Sequence, residues 1–313
     1  MVTILLELSF IMDKRKQGIA LFITLMVIAS IMSIIAVSFT YLEKVQKDAG
    51  TTSAVIQGNL LYKNTVAILK RFFPAGQDKT EQLKLLYTMP LMLNEPKSGF
   101  NLNMKCTALM IGVPIAWLDQ KSTQGVAQKQ ELAQKVLSSV MQLYDIEEPN
   151  RLEELLLQSI TGKVEQREEY DPRIKTQKGI VSKEQFYRIV TNYRLLYDDD
   201  NVLKVPWEKY FSFVKVKKKT KIDGLFLTAE VISVAFDIPI EMIQDSWIIG
   251  ESTLVEFLRM NAVSEPINKN IFASKAINAM HCEQIYAYRE RYYTFNFDYI
   301  EGRSSNFDFN AQE

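Results

Sequence analysis

One histidine and two cysteines among 313 residues leave little from which to build an active site. Histidine carries most general acid–base work near neutral pH, and a zinc centre needs nitrogen and sulfur ligands that this chain barely has. His281 and Cys282 are neighbours, yet no serine or cysteine nucleophile motif surrounds them. No catalytic residue is therefore assigned, and no enzyme is expected. Net charge is lacking too: 37 basic side chains against 37 acidic ones give no general electrostatic ground for a nucleic-acid partner. What remains is ordinary for a folded protein. At 47% hydrophobic residues the chain is no disordered scaffold, and its length allows one large or two modest cores.

A second scarcity is local. From Ile19 to Leu42 no charge, proline or glycine interrupts 24 residues. As a helix this stretch is about 36 Å long, enough to cross a hydrocarbon core of about 30 Å. Thr24, Ser30, Ser33, Ser38 and Thr40 can return their hydroxyl bonds to the helix backbone and need not break it. Lys14, Arg15 and Lys16 lie directly before the run, whereas Glu43, Lys44, Lys47 and Asp48 after it nearly cancel. The positive-inside rule then places the amino end in the cytoplasm and the residues beyond about 43 outside. A cleaved secretory signal is the alternative, but its apolar region usually runs about 7–15 residues.

Helical periodicity continues past the run through Val45, Ala49, Ile56, Leu60, Leu61, Val66 and Leu69, until PAGQD at 74–78 ends it. One helix, half apolar and half projecting, is predicted.

With "KRKQG" directly before "IALF", this arrangement resembles the type IV pilin and pseudopilin signature. The resemblance implies cleavage by a prepilin peptidase between Gly18 and Ile19, with Ile19 as the mature, commonly N-methylated terminus. Starting at Met12 the leader "MDKRKQG" would have a length typical of the family. Major pilins carry glutamate as the fifth residue after the cut; here that position is Ile23. A carboxylate inside a membrane is costly unless paired, and in the family its partner is the terminal amine of the subunit above. A subunit with Ile23 instead resembles the K-type minor pseudopilin of type II secretion, which occupies the pseudopilus tip. "FNLN" at 100–103 also matches an element of that family.

The resemblance implies an α+β fold: a pilin-like long amino-terminal transmembrane helix packed on a small antiparallel sheet, with a large inserted α-helical domain. The expected divisions are a leader at 1–18, a transmembrane half-helix at 19–42 and a projecting half at 43–73. The first part of the α/β domain follows at 74–124, the insert at 125–265, and the rest of the α/β domain at 266–313. Within the insert, "QELAQKVLSSVMQLYDIEEPNRLEELLLQSI" reads as two amphipathic helices split by Pro149, and Ser182 caps another. Two segments, around "TAEVI" at 228–232 and "NKNIFASKAINAM" at 268–280, are rival matches to one family element. The tail "ERYYTFNFDYIEGRSSNFDFN" alternates on both sides of a Gly-Arg-Ser-Ser turn and predicts a hairpin.

The implied setting is a bacterial inner membrane, crossed once, with the carboxy-terminal domain in the periplasm. The implied partners are other minor pseudopilins in a tip complex, the major pseudopilin, the prepilin peptidase and the inner-membrane assembly platform. A tip minor pilin of a type IV pilus or DNA-uptake system, and a single-pass anchored extracytoplasmic binding protein, remain open as alternatives. No cofactor is certain. Calcium is the one the family raises, with Glu168, Glu169 and Asp171 as candidate ligands. The family's aspartate-rich pattern is not reproduced, and these acids, with Glu165 and Asp198 to Asp200, read mainly as solvated loop residues. Lys215, Lys217, Lys218, Lys219 and Lys221, near Phe211 and Phe213, read as the wet face of an edge strand rather than a nucleic-acid track. An oxidising compartment permits a Cys106–Cys282 bridge; their separation in sequence does not say whether the sulfurs meet.

Overall fold

The computed structural model describes residues 2–95, 100–119, 127–162, 179–263, 267–288 and 291–311, with the side chains of residues 2–23, 93–95, 100, 288 and 311 excepted. By its internal contacts the chain divides into two units, residues 1–61 and 62–313. The first unit is helix alone: α1 spans Val2–Phe72, and its last turns belong to the second unit.

In the second unit, Tyr62, Thr65, Val66 and Leu69 recur at the three- and four-residue spacing of one helical face, continued by Phe73 just beyond the helix end. Thr65, Val66, Leu69 and Phe73 are buried. This face packs on a five-stranded antiparallel sheet. Tyr62 meets Phe295, Phe297 and Phe307 with ring centroids 6.4, 5.3 and 4.5 Å away, and its hydroxyl donates to Ser304. The Thr65 hydroxyl donates to Gln284 Oε1 at 3.1 Å. Where α1 ends, the carbonyl of Phe73 accepts from the Tyr299 hydroxyl and the Asn278 amide, so this terminal acceptor is satisfied after the intrahelical ladder stops.

After α2 (Thr80–Thr88) come β1 (Leu91–Glu95) and β2 (Phe100–Ala108). Three further strands, β5 (Ala279–Tyr288), β6 (Arg291–Ile300) and β7 (Arg303–Ala311), complete the sheet in the order β1-β2-β5-β6-β7. Alternation sets its two faces. Leu102, Met104 and Cys106 of β2, and Tyr293, Phe295, Phe297 and Tyr299 of β6, are buried on the inner face. Asn101, Lys105 and Thr107 alternate with the β2 set and are exposed. The β6–β7 hairpin is present, but its turn is Glu301-Gly302, with Arg303 and Ser304 already paired in β7. Both turn residues have positive φ, 45° and 86°, the requirement of a two-residue hairpin loop whose twist matches the strands.

The sheet is left at Ala108 and rejoined at Ala279; between them lies a helical insert. It begins with a short strand β3 (Val113–Pro114), paired in parallel with β4 (Phe211–Ser212). Its helices are α3 (Ala127–Leu143), α4 (Pro149–Thr161), α5 (Lys183–Tyr197), α6 (Asn201–Lys204), α7 (Ala229–Phe236), α8 (Ile240–Ser246) and α9 (Leu254–Met260). Pro149 is the first residue of α4 rather than a break before it, where its fixed φ suits the helix and no amide hydrogen is missed. Ser182 caps α5 by accepting from the Gln185 amide. Val113, Ile115 and Trp117 share the insert's core with Phe186, Tyr193 and Trp207, so this core already draws on residues upstream of 125. The Trp207 and Trp247 indoles, both buried, donate to the carbonyls of Val202 and Leu227.

Candidate functional site

The amino-terminal helix carries the strongest functional feature of the sequence. Within its described part, Thr24–Phe72, it holds an apolar stretch long enough to cross a membrane, and none of that stretch is buried. Leu25, Met26, Ile31, Met32, Ile34, Val37 and Phe39 are each at least half exposed. In water such a surface is far larger than a soluble monomer tolerates; in lipid it is the required exterior. The hydroxyls inside the stretch turn back onto the helix. Ser30, Ser33 and Ser38 donate to the carbonyls of Met26, Ala29 and Ile34 at 2.8, 2.9 and 2.8 Å. Thr40 donates to Val37 at 2.8 Å. No polar hydrogen among these four is offered to hydrocarbon. Lys14, Arg15, Lys16, Gly18, Ile19 and Ile23 lie on the same helix, with side chains outside the described residues.

Cys106 and Cys282 are directly opposed on β2 and β5 and form a disulfide, Cα to Cα 4.1 Å, with neither residue exposed to solvent. The bridge closes the base of the insert, because everything between β2 and β5 lies inside the loop it makes. What the linear distance between the cysteines could not say, the strand register supplies.

The metal candidates Glu168, Glu169 and Asp171 lie outside the described residues, as does Glu165. Among the described residues no group of three or more histidine, cysteine or acidic side chains could hold a metal ion. In the other acidic run Asp198 and Asp200 are exposed, as read from the sequence, but Asp199 is not a solvated acid. Asp199 is buried and accepts from the Glu147 amide, the Tyr193 hydroxyl and the Asn201 amide at 3.0, 3.1 and 2.9 Å. Asp198 is the left-handed cap of α5, and Asp200 pairs with Arg194. Asp199 ties α5 to the α3–α4 corner.

The lysine run also departs from its sequence reading. The strand there is only Phe211–Ser212, and Lys215 to Lys221 lie beyond it. Lys217 and Thr220 close a turn on each other. Lys129, buried, donates its ammonium to the carbonyls of Lys218 and Thr220 at 2.9 and 2.6 Å and lies 5.0 Å from the centre of the Trp117 ring. Desolvation first, then Lys221, depress its pKa. Phe211 and Phe213 are buried, so neither offers the open ring that a stacked base would need.

Two acids escaped the sequence reading. Asp223, buried, accepts from the amides of Leu225, Phe226 and Ile277 at 2.9, 3.3 and 2.7 Å. It thereby links the insert to the segment that returns to β5. Burial outweighs those three donors and pushes its pKa up to about 6. The Asp-Gly pair at 223–224 was the available turn signal. Asp78, at the rim of an open cleft of about 470 Å³ between α2 and the insert, pairs with Lys275 at 2.7 Å and accepts from Thr80. Those partners hold its pKa at about 2. The rival segments, 221–247 and 268–280, adjoin: Ile222 and Phe272 form a parallel bridge, and the rings of Phe236 and Phe272 lie 5.5 Å apart.

Compared with known proteins, the chain matches no protein-family model and no curated protein. Among solved structures it is similar to a chain of the GspK-GspI-GspJ complex from the enterotoxigenic Escherichia coli type 2 secretion system. The TM-score is 0.48 and the identity 12%, over 84% of this chain and 98% of that one. A likeness of that size leaves function to be argued from the residues themselves.

Proposed function

We propose that this chain is a minor pseudopilin of the K type, seated at the tip of a type II secretion pseudopilus. The observation that supports this most is one helix, Val2–Phe72, which begins in a basic leader, continues through an exposed apolar stretch and ends packed on an antiparallel sheet. An anchor that only tethered a binding domain would need neither the leader glycine nor the sheet-bound upper turns. In this reading Gly18 is the processing glycine and Ile19 the mature terminus, facing a prepilin peptidase at the cytoplasmic side.

Ile23 removes the carboxylate that a subunit below another would need. A buried glutamate costs about 2.5–3.5 kcal/mol on insertion scales unless it is paired. At the top of a filament there is no amine above to pair it. The insert between Ala108 and Ala279 adds bulk to the outer domain, and in this reading the subunit starts an assembly and does not extend one. Its role is non-enzymatic: it recruits other minor pseudopilins and then the major pseudopilin through the assembly platform. The outer domain works in the periplasm, where the Cys106–Cys282 bridge persists.

The test is the amino terminus of the membrane-inserted protein, read by mass spectrometry with and without prepilin peptidase. A terminus at Ile19 that requires the peptidase, and is lost in Gly18→Ala, supports the assignment. An intact leader in both strains overturns it and leaves a plain anchor.

A further inference from the structure

The only histidine of the chain sits where the helical insert meets the outer face of the sheet. His281 on β5 holds Asp298 on β6 through Nδ1 and Oδ1 at 2.7 Å, with the histidine side chain 45% exposed and the aspartate 7%. The other carboxylate oxygen, Asp298 Oδ2, accepts from Asn306 Nδ2 at 2.6 Å. The same nitrogen donates to the carbonyl of Val181, just before the cap of α5, at 2.8 Å. Asn306 can make this reach because β7 bulges there. Ser305 pairs with Asp298 and Asp308 with Asn296, so Asn306 and Phe307 together oppose Phe297. Asn306 takes a left-handed φ of 53°, which asparagine tolerates better than most residues. Bulges commonly re-aim a side chain in this way.

A continuous chain of side chains therefore runs from the imidazole to the backbone of the insert. Three carboxylates face His281: Asp298 from β6, Glu283 from its own strand and Glu184 from α5. From β2 it meets Thr107 by strand register, with the cationic Lys105 on the same face opposite Glu283, and from β7 it meets Asn306 through Asp298. A protonated ring places one positive charge between Glu184 on α5 and Asp298 and Glu283 on the sheet; a neutral ring withdraws it.

We propose that His281 is a pH-sensitive clasp that fastens the amino end of α5 to the sheet when its ring is protonated and loosens it when the ring is neutral. The hydrogen bond to Asp298, ahead of the opposing desolvation and the remaining charges, raises the pKa of His281 above its ordinary value. A group raised in the folded state contributes its stability in full below its unfolded pKa, about 6.5. That contribution is lost as pH rises through the folded value. The clasp would thus be fastened in mildly acidic surroundings and slack in alkaline ones. It acts within residues 62–313 and does not depend on the pseudopilin reading.

Because the chain has one histidine, its ring resonances in a labelled full-length sample in detergent micelles need no assignment. The titration should have its midpoint above that of a free imidazole and should fall toward it in Asp298→Asn. Amide exchange at Gln185 and Phe186, both hydrogen-bonded to Ser182, should be corrected for the intrinsic rate. It should then accelerate with the same midpoint, by about tenfold for each unit by which the ring is raised. In His281→Gln that acceleration should vanish. A midpoint at or below the free value, or unchanged protection of Gln185 and Phe186 across the wild-type titration, overturns the proposal without recourse to any variant.

Discussion

Removing the Cys106–Cys282 bridge should loosen the sheet far more than the loss of two small buried side chains would. The cysteines are 176 positions apart, and the loop between them contains the whole helical insert. In the chain-entropy relation, a cross-link over that distance lowers the denatured-state entropy by roughly 5 kcal/mol at 25 °C. Measured disulfides usually deliver less, so about 3–5 kcal/mol is expected for Cys106→Ala/Cys282→Ala. That is a large part of the roughly 5–15 kcal/mol by which domains are stable. The assay must separate the two halves of the fold. All three tryptophans, at 117, 207 and 247, lie in the insert, so fluorescence reports that part alone. Hydrogen exchange at β5 and β6 amides reports the sheet. Exchange there should be faster in the double variant by about two to four orders of magnitude, and the insert's tryptophan transition should move less. Equal exchange at β5 and β6 in the oxidised protein and the variant would refute the reasoning, because the cross-link would then not be restricting the denatured chain.

Asp223 should make stability fall as pH rises. Its folded pKa of about 6 lies above its ordinary 3.8, so between those values the native state holds the extra proton. The loss across that window is roughly 3 kcal/mol, and urea unfolding from pH 4 to 6.5 should show it in wild type but not in Asp223→Asn. Gly224→Ala should cost several kcal/mol, because an added Cβ would sit 2.1 Å from the carbonyl oxygen of Ala273 and force apart the Ile222–Phe272 bridge; a melting temperature within a degree of wild type would count against this. Thr253→Ala should remove the capping box with Glu256 at the start of α9, a loss of about 1 kcal/mol in chemical denaturation. Ile23→Glu should reduce membrane insertion of the helix, by the few kcal/mol of an unpaired carboxylate, in an insertion assay.

Elements with a local cause were legible. The uncharged run from Ile19 to Leu42 marks a helix because nothing in it opposes one. Ser182 followed by a periodic stretch marks the start of α5, and the alternation from Arg291 to Phe309 marks two paired strands. The turn between those strands was misplaced by two residues, since Glu301-Gly302 and Gly302-Arg303-Ser304-Ser305 are both plausible turn chemistry and only pairing in β7 decides between them. The lysine run misled for a related reason: alternation over Phe211 to Lys217 looks like a strand, but only Phe211 and Ser212 find a partner, in β3. Asp199 looked like a solvated acid, because no local pattern announces that Glu147 and Tyr193 will arrive to receive it.

The sequence by itself determined the apolar helix, the basic residues before it, the cap of α5 at Ser182 and the paired strands at the carboxy end. These depend on spacings of a few residues and on transfer from water to lipid, which act wherever the chain goes. Tertiary structure alone decided that Cys106 meets Cys282, that Asp223 fastens the insert to the returning strand, and that His281, Asp298, Asn306 and Val181 form one chain. Such contacts join residues far apart in sequence. Strand register and burial select them, and both exist only after the sheet has closed around its core.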